Sequence, residues 1–174
     1  MTSSRRWLLP LAGGAVLVYF LSAVPVERAA AKPPGSAAPA FVLPDLQGNP
    51  VALDSFRGRP TLLNFWATWC PPCRAEMPDL ESLSEAKDDC LTVVGIAIGS
   101  GGAEEVDAFV REHALRYPML IGNDQIAADY EVRTIPRSVL LDSGGNEAAH
   151  WDGPIDRKAV RTAVHALGPA PVRC

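Results

Sequence analysis

Leu62-Leu63-Asn64-Phe65-Trp66-Ala67-Thr68-Trp69-Cys70-Pro71-Pro72-Cys73-Arg74 joins a short apolar, aromatic-rich run to an amphipathic stretch. The run from Leu62 to Trp66 reads as a buried central strand. From Pro71 onward, Ala75, Leu80, Leu83 and Ala86 fall at roughly helical spacing between polar residues, which predicts a helix to about Lys87. Pro78 should kink that helix rather than end it, since the periodicity continues beyond it. Cys70 and Cys73 therefore sit at the first turn of a helix that follows a strand. A thiolate there faces unpaired N–H groups and the positive end of the helix dipole, which lowers a thiol pKa. Spacing by two residues also lets the sulfurs close a small disulfide ring. The pattern is that of a dithiol–disulfide couple.

Outward from this junction the chain alternates strands and helices. Phe41-Val42-Leu43 and Val51-Ala52-Leu53 flank a turn at Gln47-Gly48-Asn49 and read as an N-terminal hairpin. Leu91 to Ile98 is apolar and β-branched, the mark of a second central strand. Glu104–Leu115 is helical by pattern, with Val106, Phe109, Val110 and Ala114 expected inward. A strand at Pro118–Ile121, a short helix capped by Asn123 or Asp124, and a hairpin of Ser138–Leu141 with Glu147–Trp151 follow. Asp156 caps a last helix to Leu167, before Gly168-Pro169. The expected fold class is α/β, a central mixed sheet flanked by helices.

The amino end has a different composition. Arg5 and Arg6 precede Trp7–Val26, a 20-residue run without charge, long enough to cross a bilayer as a helix. Two readings stay open: an uncleaved anchor formed by residues 7–26, or a signal peptide cleaved near Ala29-Ala30-Ala31. Both place the rest of the chain outside the cytoplasm. Residues 1–31 are thus the targeting segment, 32–39, rich in Pro, Gly and Ala, a linker, and 40–174 the globular domain. With 174 residues, net charge −4 and no basic block, one domain is expected and no nucleic-acid partner.

Four cysteines are too few for a disulfide-held scaffold. A zinc ribbon would want a cysteine near position 93, which is Val93, and His113, His150 and His165 do not pair at ligand spacing. No metal site is expected. A peroxidase of related fold is disfavoured, because no Pro-x-x-x-Thr/Ser-x-x-Cys stretch leads into Cys70 or Cys73. In an oxidising compartment Cys90 and the terminal Cys174 could form a second disulfide; a reduced Cys90 packed as a small core residue is the other reading.

Asn64-Phe65-Trp66-Ala67-Thr68-Trp69-Cys70-Pro71-Pro72-Cys73-Arg74-Ala75-Glu76-Met77-Pro78 resembles the active-site stretch of thioredoxin-fold proteins. More narrowly it is similar to the exported TlpA-like thiol–disulfide oxidoreductases, which include the reductases of cytochrome c maturation. Tyr130-Glu131-Val132-Arg133-Thr134-Ile135-Pro136 before a strand resembles the family's cis-proline loop, and 103–121 its central α/β insertion. The resemblance covers about residues 40–168. It implies a thioredoxin-like fold, protein disulfide reduction at Cys70 and Cys73, and no cofactor. Cys70 would attack a substrate disulfide and Cys73 would resolve the mixed disulfide, with Cys70 the more exposed of the two. Trp69, Ile135 and Pro136 would border the substrate. The implied partners are a disulfide-bonded exported protein and a membrane electron donor that re-reduces the pair. The domain would act as a monomer at the bacterial periplasmic or other extracytoplasmic face.

Three features depart from the family pattern. Asn64 stands where thioredoxin has a buried aspartate; the resemblance to TlpA-like proteins, in which a glutamate three residues after the second cysteine acts instead, implies that Glu76 is the candidate proton acceptor. Its alternative is an ordinary solvated helix glutamate. Arg137 follows the cis-proline where threonine is common, and solvent exposure is the expectation for it and for Arg133. Arg133-Thr134-Ile135 replaces the Gly-Ala or Gly-Val type segment of the maturation branch. The same cysteines leave two other readings, a disulfide-forming oxidant and a copper or zinc chaperone.

Overall fold

A computed structural model describes residues 35–86 and 90–168. The expected targeting segment 1–31 and Cys174 lie outside the described residues. The order of elements is β1 (Val42–Pro44), β2 (Pro50–Ala52), a 3₁₀ turn (Leu53–Phe56), β3 (Thr61–Trp66), α1 (Pro71–Glu85), β4 (Thr92–Ala97), α2 (Ala103–Glu112), β5 (Met119–Ile121), α3 (Asp124–Asp129), β6 (Arg137–Leu141), β7 (Glu147–Asp152) and α4 (Arg157–Ala166). β1 and β2 form the expected antiparallel hairpin. The main sheet runs β5-β4-β3-β6-β7. β3, β4 and β5 are mutually parallel, whereas β6 pairs antiparallel with β3 and with β7.

β3 holds the centre, and every residue of it is buried. Strand side chains alternate between faces, so it feeds two cores. Leu62 and Trp66 join Met77, Leu80, Leu83, Val106, Val160 and Val164, the layer of α1, α2 and α4. Leu63 and Phe65 join Ile126, Tyr130, Phe41, Leu43 and Leu53, the layer of α3 and the hairpin. Fully burying an aliphatic or aromatic side chain of this size contributes about 1.5–3 kcal/mol, so this one strand organises much of the stability. Gly95, mid-strand in β4, is what lets Met119 and Trp66 close over it: a Cβ there would stand 2.4 Å from Met119 Sδ and 3.0 Å from Trp66 Nε1.

The helices follow their local signals. Asn123 Oδ1 accepts from Ile126 N at the start of α3, and Asp156 caps α4 through Lys158 N. α1 runs unbroken through Pro78. Its inward face differs from the expected one: Cys73, Glu76, Met77, Leu80 and Leu83 are buried, while Ala75 is exposed. α2 ends at Glu112, and Ala114, expected inside, turns away to the surface with φ 53.

Two further segments extend the expectations. From Gly35, the stretch read as a linker lies along the β6–β7 turn, with Gly35 N donating to Glu147 O and Ala38 N to Gly145 O. Cys90 is disulfide-bonded, not a reduced core residue.

Candidate functional site

The end of β3 and the start of α1 set the two cysteines. Cys70 is the N-cap of α1, with Pro71 and Pro72 at the first two helical positions. Prolines are tolerated there because those N–H groups have no helical partner. They also remove two of the amides that would otherwise face a capping side chain. The first amide available is that of Cys73, and it donates to Cys70 Sγ at 3.3 Å. Cys70 and Cys73 are disulfide-bonded, with sulfurs 2.06 Å apart and Cα atoms 5.3 Å apart. Cys70 is the more exposed of the two, as expected, but in this oxidised state both are buried, Cys70 at 2% and Cys73 at 0%. Two loops contribute to this end of α1.

One loop follows β4. Trp69 is 64% exposed, yet its indole is fixed, since Nε1 donates to Gly99 O at 2.8 Å. Gly99 has φ 63, a conformation that suits glycine, and it aims the carbonyl at the ring. Thr68 N donates to Ser100 Oγ, and Thr68 Oγ1 bonds Glu105 at the start of α2. The other loop precedes β6. The Ile135–Pro136 bond is cis, as the resemblance implied. Ile135 is half-buried and Pro136 buried, and Ile135 O lies 3.9 Å from Cys70 Sγ. Cys70 thus lies between Trp69, its chain neighbour, and the Ile135–Pro136 segment.

Below the sulfurs the site is polar and closed. Glu76 is one turn after Cys73 on the same helix face and only 3% exposed, so the reading as a solvated glutamate is overturned. Glu76 Oε1 accepts from Asn64 Nδ2 at 2.8 Å and Oε2 from Ile155 N at 2.8 Å. Asn64 Nδ2 also donates to Ser138 Oγ at 3.0 Å. Burial raises the Glu76 pKa above its ordinary value, and the two hydrogen bonds oppose that rise only in part. A carboxylate held this way is a stronger base than an exposed one.

Arg137 was expected at the surface. It is buried, with its guanidinium paired to Asp152 and its Nε donating to Tyr130 O at 3.0 Å. Arg133 is exposed as expected. The partners of Glu76 and Arg137 were missed because no spacing rule brings Ile155 or Asp152 to them. Only the antiparallel register and the α1–α4 packing do. Among the described residues no group of three or more His, Cys, Asp or Glu converges. No helix among them is long and apolar enough to cross a membrane.

Comparisons with known proteins fall on this same region. The AhpC/TSA family model matches residues 34–148. The thioredoxin-like protein YneN of Bacillus subtilis is 42% identical over 113 residues, 64% of this chain and 66% of that protein. The thiol-disulfide oxidoreductase ResA of Geobacillus kaustophilus is 31% identical over 137 residues, 78% of each chain. A thiol:disulfide interchange protein of the thioredoxin family from Chlorobium tepidum superposes with a TM-score of 0.68 at 28% identity, over 79% of this chain and 100% of that one. The expected thioredoxin-like α/β fold is borne out.

Proposed function

We infer the function from one premise, that this chain belongs to the AhpC/TSA family and shares its thioredoxin fold. It is a thiol–disulfide oxidoreductase. The observation that carries the reading is the Cys70–Cys73 disulfide at the start of α1, facing the Ile135–Pro136 segment with Glu76 buried beneath it.

The working direction is reduction. In the reduced protein the Cys70 thiolate, helped by the Cys73 amide, attacks a substrate disulfide and displaces one substrate thiolate. The substrate stays attached through Cys70 Sγ. Glu76 takes the Cys73 proton, and the Cys73 thiolate attacks Cys70 Sγ, releasing the second substrate thiolate and closing the ring. Two electrons pass from the dithiol to the substrate, so a dithiol donor must restore the pair after each turnover. Trp69 and the Ile135 backbone border the bound chain, which lies extended beside Pro136.

The working place is outside the cytoplasm. Arg5-Arg6 and the uncharged run 7–26 support export, as an anchor or as a cleaved signal. The disulfide at Cys90 fits an oxidising compartment. A reductase there depends on electrons delivered through the membrane. Exported proteins with paired cysteines, apocytochromes c among them, are the first substrates to test.

The test is a trap. Cys73→Ser should accumulate disulfide-linked complexes through Cys70 in intact cells, and sequencing them names the substrates. Complexes that form instead with Cys70→Ser, through Cys73, would overturn the assignment of roles.

A further inference from the structure

A positively charged side chain with 8% exposure is uncommon, and Arg137 sits directly after Pro136. Burying a guanidinium costs several kcal/mol unless its donors are matched, so its partners indicate what it is for. Nε donates to Tyr130 O at 3.0 Å and the terminal nitrogen pairs with Asp152. Tyr130 closes α3, and Asp152 ends β7 opposite Arg137 in the β6–β7 register. Gly153 N donates to Pro136 O at 2.8 Å. Residues 131–136, the loop that carries Ile135, thus leave Tyr130 and return to Arg137, and the Arg137 side chain ties the two ends together. Tyr130 is itself fixed: its hydroxyl donates to Pro39 O at 2.8 Å and its ring packs on Phe65 and Phe41. Arginine suits the task because its planar fork serves two acceptors in fixed directions; a lysine ammonium has no such geometry.

We propose that Arg137 is a positioning residue that sets the Ile135 backbone for pairing with an extended substrate, with Asp152 and Tyr130 O as its anchors. It acts on recognition of peptide disulfides and not on the chemistry at sulfur. This rests on the oxidoreductase reading above.

The test uses two disulfides with one leaving group. The first is an eight-residue peptide whose single cysteine is a mixed disulfide with thionitrobenzoate. The second is the symmetric dithiobis(nitrobenzoate), which has no peptide backbone to pair. In both, the Cys70 thiolate bonds to the attacked sulfur and the old S–S bond breaks, expelling thionitrobenzoate, which absorbs. Cys73 then displaces the peptide as a thiol, or a second thionitrobenzoate. With pre-reduced protein in single-turnover reactions and the disulfide in excess, Arg137→Leu should raise the half-saturating peptide concentration about tenfold, with the limiting rate and the rate on the small disulfide unchanged. Arg137→Lys, which keeps a charge for Asp152 but loses the Nε bond, should fall between. If Arg137→Leu does not fold, Asp152→Ala, at a half-exposed site, should show the same selective rise at smaller size. Equal losses on both disulfides, or no loss on either, would overturn the proposal. A wild-type protein that releases thionitrobenzoate from neither would instead sink the oxidoreductase reading.

Discussion

The two faces of β3 are built from neighbouring residues and do opposite things. Leu63 and Phe65 point into an apolar layer with Ile126, Leu120 and Val139. Between Leu62 and Trp66 on the other face stands Asn64, bonded to Glu76 and Ser138 under the disulfide. One face only stabilises. The other gives up part of that stabilisation, because a carboxyl without water favours its neutral form and an amide must find partners. The difference marks where the chemistry is. The buried Asn64–Glu76–Ser138 cluster lies one helical turn from Cys73, and nothing about stability requires it.

The largest effect that separates the faces belongs to the apolar one. Phe65→Ala should cost about 3–5 kcal/mol of folding free energy, read as a lower denaturant midpoint. Thiol exchange per folded molecule should hardly change. A proportionate loss of exchange rate in the folded fraction would mean that the two faces are not separable.

Glu76→Gln should do the reverse. It puts an NH2 donor in place of one of the two oxygens that accept from Asn64 Nδ2 and Ile155 N, and the loss of one such bond should cost about 1–3 kcal/mol of folding free energy, less than Phe65→Ala. Resolution of a Cys70 mixed disulfide should slow about tenfold to a hundredfold in stopped-flow traces, at the low end of what a positioned base contributes. Unchanged resolution and thiol titration would remove Glu76 from the mechanism.

The same residue predicts a pH signature. The Glu76 pKa is raised in the folded state by burial, so folded protein binds the proton more tightly than unfolded protein does. Its contribution to stability is therefore full below the unfolded value near 4.5 and is lost as pH rises through the higher folded value. Denaturant midpoints across that range should fall with pH more steeply for wild type than for Glu76→Gln. Parallel curves would contradict the shift.

A smaller effect concerns the prolines. Pro72→Ala restores an amide at the second helical position, where it can reach Cys70 Sγ. The Cys70 thiol pKa should drop, by an amount worth about 0.3–1 kcal/mol, and the potential should rise with it. An unchanged thiol titration would show that the Cys73 amide and the dipole already account for the thiolate.

Local signals made most of the architecture legible. β3 and β4 are apolar runs between Gly and Pro punctuation, Asn123 and Asp156 are caps, and the Asp142–Asn146 turn sits between two strand patterns. Failures came where tertiary context overrides a local rule. In α1 the small apolar Ala75 suggested a face that the helix turns outward, while the buried stripe carries Glu76, a residue periodicity assigns to solvent. Ala114 was lost from α2 because the helix stops two residues sooner. Arg137 defeats any rule based on residue type, since its burial depends on Asp152 and on a carbonyl seven residues upstream. The cysteine pair was visible and its surroundings were not. Cys70 meets Ile135 O from a loop 65 residues downstream, and its neighbour Trp69 is held by Gly99 O from another.

The reductase reading has one direct physical correlate, the reduction potential of the Cys70–Cys73 pair. With Pro71 and Pro72 lacking amides, a single N–H faces Cys70 Sγ, so the thiolate is weakly stabilised and the disulfide comparatively favoured. Equilibration with a defined dithiol buffer should give a potential toward the reducing end, roughly −230 to −270 mV. A value near about −120 mV, that of a strong oxidant, would contradict it.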